Sequence, residues 1–221
     1  MSRRLRLLLL LLAGVATLLV LTLLGLYLAA GHEPACYREA MQTDPAVLEK
    51  GSDQMLKHAT ALAGSVKKKH RWEALFTADE INGWLAVDMV RNHPNALPPG
   101  MRDPRVIIGS RQIIVACRFH QSGADSVLTL TLEPSVPEPN VIAIRIVRAR
   151  AGLLPLPLGQ VLDRLSEAAR DMQVDLQWRR VGGDPVAMIS LSPSDDDRPV
   201  HIEALRLADG EIYVAGGTER P

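Results

Sequence analysis

From Leu7 to Gly31 the chain carries no charge, and leucine dominates the run. About 24 residues at roughly 1.5 Å each give a helix of roughly 36 Å, enough to cross a hydrocarbon core of about 30 Å with some tilt. A single segment in lipid can satisfy its own backbone groups only as a helix. Arg3, Arg4 and Arg6 precede the run and His32-Glu33 follow it, which places the N-terminus in the cytoplasm. The run far exceeds the roughly 7–15 apolar residues of a signal-peptide core. The sequence therefore predicts a retained, single-pass signal-anchor rather than cleavage after Ala29-Ala30-Gly31. Lipid attachment at Cys36 fits less well, because Glu33-Pro34-Ala35 is not the small apolar run that lipoprotein processing uses. The expected location is the inner or cytoplasmic membrane of a bacterial cell, with the C-terminal domain outside the cytoplasm.

The chain of 221 residues has room for such an anchor and one domain of ordinary size. Beyond residue 31 it holds 22 basic and 25 acidic residues, a net charge of −3. That balance, with aromatics at only 4%, excludes a nucleic-acid binder, which would show a concentrated positive footprint and stacking residues. Two cysteines, Cys36 and Cys117, permit one disulfide in an oxidising compartment, but Cys117 falls within a predicted strand and reads better as a small buried hydrophobe.

Periodicity divides the rest. Residues 1–6 form a cytoplasmic N-terminus, 7–31 the transmembrane helix, 32–71 a membrane-proximal helical segment, 72–216 an α+β domain and 217–221 a tail. In the helical segment Asp44-Pro45 reads as an N-cap and first helical position, and Gly51-Ser52 as a break or bend. Thr77-Ala78-Asp79-Glu80 fits a capping box, followed by an apolar stripe of Ile81, Trp84, Leu85 and Val90. The period then changes to two. Arg105–His120 reads as one bent strand or a pair split at Gly109-Ser110, followed by Ser126–Glu133, a turn from Pro134 to Pro139, and Val141–Ala151. A helix over 159–171 and strands over 173–180, 185–192, 200–208 and 212–215 complete the pattern, with Asp209-Gly210 as a hairpin turn. The predicted fold is a curved antiparallel sheet of six to eight strands packed with two or three helices, behind the N-terminal transmembrane helix.

Two stretches carry a family likeness: Phe76-Thr77-Ala78-Asp79-Glu80-Ile81-Asn82 before the sheet, and Gly152-Leu153-Leu154-Pro155-Leu156-Pro157 between the meander and the second helix. With the anchor, this layout resembles the YpmS-like family of bacterial membrane-anchored extracytoplasmic proteins over residues 72–215. It is also broadly similar to anchored envelope domains that hold lipid in a curved-sheet groove. The resemblance implies no activity, cofactor or catalytic residue. The lysine-rich segment before residue 72 has no counterpart in it.

Motifs for chemistry are missing. No His-Glu-x-x-His pair, glycine-rich phosphate loop or Gly-x-Ser-x-Gly elbow occurs. Asp195-Asp196-Asp197 with His201 reads as a solvated loop rather than a cation site. The sequence thus points to a non-enzymatic envelope domain without metal or cofactor, an envelope hydrolase being less well supported. Its candidate site is an apolar groove of Ile81, Trp84, Leu85, Leu128, Leu130, Leu132, Ile142, Ile144, Ile146, Val161, Leu162 and Leu165, suited to a lipid ligand. Arg148 and Arg150 share parity with Ile142, Ile144 and Ile146, so one face is expected to pass from apolar to basic. They join Lys67, Lys68, Lys69 and Arg71 as candidate contacts for anionic lipid, against the plainer readings of a solvated helix face and of edge arginines that deter aggregation. The alternative function is a protein–protein adaptor or scaffold that recruits an envelope partner through a sheet edge or exposed patch.

Overall fold

The computed structural model describes residues 3–68, 71–121, 123–171, 173–190 and 200–218. Helix α1 spans Arg3–Ala30. Its described side chains are exposed on every side, from Val15 to Leu28, with Leu18 at 67%. Over the residues whose side chains are described, no single helix is long and apolar enough to cross a membrane. Gly14–Ala30 together with Ala35–Met41, bent by 41°, meets the length and composition of a span.

The helical segment expected over 32–71 is two helices, α2 (Ala35–Met41) and α3 (Pro45–Lys68). The break falls at residues 42–44, where the Asp44 carboxylate accepts the Ala46 N–H at 2.8 Å, so the expected cap and proline start are both found. Gly51-Ser52 does not break the helix, correcting the sequence reading. Gly51 is instead where α4 (Ala78–Gly83) crosses α3, backbone against backbone. Between them runs β1 (Arg71–Thr77), and both bonds of the capping box form: the Thr77 hydroxyl accepts the Glu80 N–H at 3.2 Å, and Glu80 Oε2 accepts the Thr77 N–H at 3.0 Å. After α4 the helix widens into a π-helical turn over Trp84–Asp88 and closes with α5 (Met89–Asn92). Val90, counted into the apolar stripe, is 58% exposed; Met89, one turn beyond Leu85, is buried at 5%.

The strands make two sheets rather than one. In the large sheet β2 (Met101–Ile108), β3 (Ile113–Gln121), β4 (Ala124–Glu138) and β5 (Val141–Ala151) form an antiparallel meander, and β6 (Leu154–Pro155) pairs with the end of β5. After α6 (Leu158–Asp171), β7 (Leu176–Val181) and β8 (Asp184–Ser190) extend it in the order β2-β3-β4-β5-β8-β7. In the small sheet β10 (Glu211–Thr218) lies between β1 and β9 (Val200–Ala208). Strand β10 continues through Gly217 and Thr218, residues that the sequence reading assigned to a tail, and the Thr218 hydroxyl donates to the Val66 carbonyl at 2.7 Å.

Pro134 and Pro137 lie inside β4 instead of ending it. Strand β3 pairs with β4 only as far as Leu132, so beyond that point β4 is an edge and tolerates residues without an N–H. The two sheets join at two turns. Gly210, between β9 and β10, donates to Ile108 O at 2.9 Å and accepts from Ala78 N at 2.7 Å. Asn140, between β4 and β5 with φ +65°, exchanges hydrogen bonds with both backbone groups of Ile202.

A side chain also closes the outer edge of the large sheet. Buried Asn82 donates from Nδ2 to Val106 O at 2.8 Å and accepts the Val106 N–H at 2.7 Å, as a neighbouring strand would. Asn82→Ala leaves a donor and an acceptor without partners, at about 1–3 kcal/mol each if they stay dry. The expected outcome is a loss of about 2–4 kcal/mol in denaturant titrations. A loss below about 1 kcal/mol would mean that water replaces the amide.

On one face of the large sheet α2 covers β2–β4: Tyr37 is fully buried with Ala116 and Val127, Met41 packs against them, and the Tyr37 hydroxyl donates to Asp103 O at 2.8 Å. Burial, with the nearby Asp103 carboxylate, pushes the Tyr37 phenol from 10.0 up to about 12. The fold thus holds the neutral phenol. Its contribution to stability is complete below pH 10 and is lost as pH rises from 10 towards 12. Tyr37→Phe should lower the melting temperature at neutral pH and flatten its decline between pH 10 and 12. An equally steep decline in the variant would assign it to other groups.

Candidate functional site

Ladder register puts Leu128, Leu130 and Leu132 of β4 on the same face of the large sheet as Ile142, Ile144 and Ile146 of β5, so these six expected groove residues do come together. Rows of apolar side chains cross the strands on this face: Ile108–Ile113–Leu132–Ile146, Val106–Val115–Leu130–Ala149 and Cys117–Leu128–Ala151. Towards β7 the face continues as Ile144–Ala187–Trp178 and Ile142–Ile189–Leu176. Ile146 is 1% exposed, while Leu128, Leu130, Leu132, Ile142 and Ile144 are only half-buried.

Helix α6 lies over the β5–β7 end of this face, where the Trp178 indole N–H donates to Ser166 Oγ at 2.7 Å. Val161, Leu162 and Leu165 are half-buried, and no described residue of α6 is fully buried, so the helix rests on the sheet without closing it. Ile81, Trp84 and Leu85 lie elsewhere. Their helix packs against α3 and the outer strand β2, so the structure places them in the helical layer beside the sheet rather than over its apolar face.

The face reaches the end of α1. Ser126, the residue of β4 that precedes Leu128 on this side, donates from Oγ to Ala30 O at 2.8 Å. Leu153 N donates to Ala29 O at 2.9 Å, and Gly152, with φ +57°, sits against the same two carbonyls. These contacts satisfy carbonyls that a helix C-terminus leaves open. Around the joint, Arg118 bridges Glu33 at 3.5 Å and Asp103 at 3.6 Å, and Asp125 pairs with His120 at 2.7 Å and Arg102 at 3.9 Å. The collar was not legible in sequence, because its members come from four separate segments.

The arginines of β5 sit on the opposite face, which corrects the parity reading. A bulge sets Leu132 opposite Ile146 but Thr131 opposite Arg148, leaving Val147 as the extra residue. Arg148 and Arg150 therefore share a face with Arg145 rather than with the isoleucines. Of the other expected anionic-lipid contacts, Arg71 pairs with Glu203 at 3.6 Å and Lys67 is exposed. Lys69 and the side chain of Lys68 lie outside the described residues, as do Asp195, Asp196 and Asp197. His201 pairs with Glu203 at 3.3 Å. Among the described residues no three of His, Cys, Asp and Glu are grouped to hold a metal, and both cysteines are free. Burial raises the Cys117 thiol above its usual range, which keeps it the less reactive protonated form. Compared with family models, curated proteins and solved structures, the chain finds no match.

Proposed function

We propose that the protein is a single-pass, membrane-anchored and non-enzymatic extracytoplasmic domain that holds lipid acyl chains on the apolar face of its large sheet. Helix α1 supports the anchor: leucines and valines exposed all round are unfavourable in water and suit hydrocarbon. The observation that carries the lipid reading is continuity. The half-buried ladder starts at Leu128, next on its face to the serine bonded to the last carbonyl of α1. A chain leaving the bilayer beside α1 would stay against apolar side chains, each buried methylene contributing about 0.8 kcal/mol. The likeness to the YpmS-like family belongs to the same proposal, and its two stretches have structural roles here, one capping α4 and one receiving the end of α1.

The test uses the full chain in nanodiscs doped with a phosphatidylcholine that carries a photoreactive group at its acyl terminus. Cross-links are expected on β4 and β5 peptides around Leu130 and Ile144 as well as on α1. Leu130→Arg should reduce those on the strands at least tenfold and leave α1 labelling intact. Labelling confined to α1 would end the lipid reading. A second reading, an adaptor for an envelope partner, rests on β7, the outermost strand of the large sheet on the side away from β2.

A further inference from the structure

We infer that the opposite, basic face of the large sheet carries a second binding site, for an acidic group of the phosphate-monoester or carboxylate class joined to an apolar body. A cleft of about 650 Å³ opens there over β4, β5, β8 and β7, with Leu207 of β9 at its wall. One row of the ladder builds its centre: Glu133, Arg145, Val186 and Arg179 stand side by side on four adjacent strands. Strands lie about 4.8 Å apart, so Arg145 and Arg179 flank Val186 at about 10 Å from each other. Val186 is only 5% exposed. The neighbouring arginines explain this, since their aliphatic stems can cover the valine while their charged heads stay at the mouth. Arg111, from the turn between β2 and β3, brings a third guanidinium to the rim.

Among the described residues little of that charge is neutralised. Arg145 meets Asp184 only at 3.9 Å, with both side chains well exposed. Oε1 of Glu133, the one acid in the lining, accepts a hydrogen bond from the Gln112 amide at 2.9 Å. Arg111 and Arg179 form no ion pair among the described residues, and neither do Arg148 and Arg150, which continue the basic line along β5 towards the anchor. The floor beside the row is Ala143 and Met188. Forked guanidinium donors over an apolar floor select a planar or tetrahedral anion that carries hydrocarbon. Glu133 stands seven residue steps along β4 from Ser126 at the anchor, roughly 23 Å of strand. A headgroup that stays in the bilayer is therefore out of reach, and the ligand is either an extracted lipid or a free organic acid. The site shares no side chain with the apolar ladder and does not depend on lipid being held there.

The full chain in dodecyl maltoside, titrated calorimetrically with inorganic phosphate, phenyl phosphate and dihexanoyl phosphatidic acid, tests the inference. At least one amphipathic phosphate is expected to bind ten times or more tightly than inorganic phosphate. Arg145→Gln and Arg179→Gln should each weaken it at least tenfold, while the melting temperature shows the variants folded. Met188→Gln should weaken the amphipathic probes and leave inorganic phosphate unchanged. Tighter binding of the phosphatidic acid assigns a lipid source, and tighter binding of phenyl phosphate a free organic phosphate; both support the site. No binding at millimolar concentration, or binding that folded Arg145 and Arg179 variants retain, overturns it.

Discussion

Gly83→Ala should unfold the protein or lower its unfolding free energy by about 3 kcal/mol or more, the upper end of what overpacking costs. A Cβ at Gly83 would meet Leu48 O, Ser52 N and Gly51 C, all backbone and all inside the 3.0 Å that real Cβ atoms respect. No rotamer change relieves such a contact; α3 and α4 must separate. Separation would disturb buried Ser52 and buried Glu80, whose Oε1 also pairs with His58 at 3.0 Å. Helix propensity works in the other direction, favouring alanine over glycine by about 1 kcal/mol, so the clash must exceed that gain before any loss is seen. Gly51→Ala, facing Asp79 O, should behave in the same way. Gly64→Ala is the control: it lies on α3 with nothing within 4 Å of its Cβ position and should gain about 0.5–1 kcal/mol. Thermal unfolding of the three variants decides the matter. A Gly83→Ala protein as stable as its parent would mean that the helices do not cross through these glycines.

The same pair shows where reading the sequence succeeds and where it stops. Glycine and serine at 51–52 suggest a break because local propensity says so. The reason for glycine is a helix that arrives some thirty residues later, which no local window contains. Local signals with a local cause were legible: the Asp44 cap, the capping box at Thr77 and Glu80, the interruption at Gly109-Ser110, where a bent strand and a strand pair were both open and the pair is found, and the alternation from Leu128 to Leu132. The bulge at Val147 was not, because Ile146-Val147-Arg148 contains only residues at home in a regular strand. One unmarked extra residue moved two arginines to the other face. The small sheet escaped for a different reason: β1 pairs with β10 across most of the chain, and periodicity carries no information about partners so far apart. Asn82 escaped because pairing a side chain with a strand edge leaves no pattern at all.

Gly152→Val should uncouple the domain from α1 while leaving the large sheet folded. The position needs glycine twice over. Its φ of +57° is a region that β-branched residues avoid, at a cost of about 1–3 kcal/mol. A Cβ would also press on Ala29 O and Ala30 O, the last carbonyls of α1. The turn can yield only by moving away from the helix, because on its other side the Gly152 N–H donates to Val127 O at 2.8 Å within the sheet. The bonds from Leu153 N and Ser126 Oγ to α1 are then the ones to break, and the damage stays at the joint. Trypsin cleavage of the full chain at exposed Arg38, just beyond the joint, should accelerate at least tenfold. The melting temperature should fall by less than for Gly83→Ala. Ser126→Ala removes one half-buried hydrogen bond and should cost no more than about 1 kcal/mol. Unchanged cleavage in Gly152→Val would show that α1 is not held by this turn. The variant also separates two functions of the joint. If acyl chains pass from the bilayer to Leu128 beside α1, photolabelling of β4 and β5 must fall together with the faster cleavage. Labelling that persists after uncoupling would mean that the chains reach the sheet by another route, with the joint serving only to hold the domain at a fixed angle to α1.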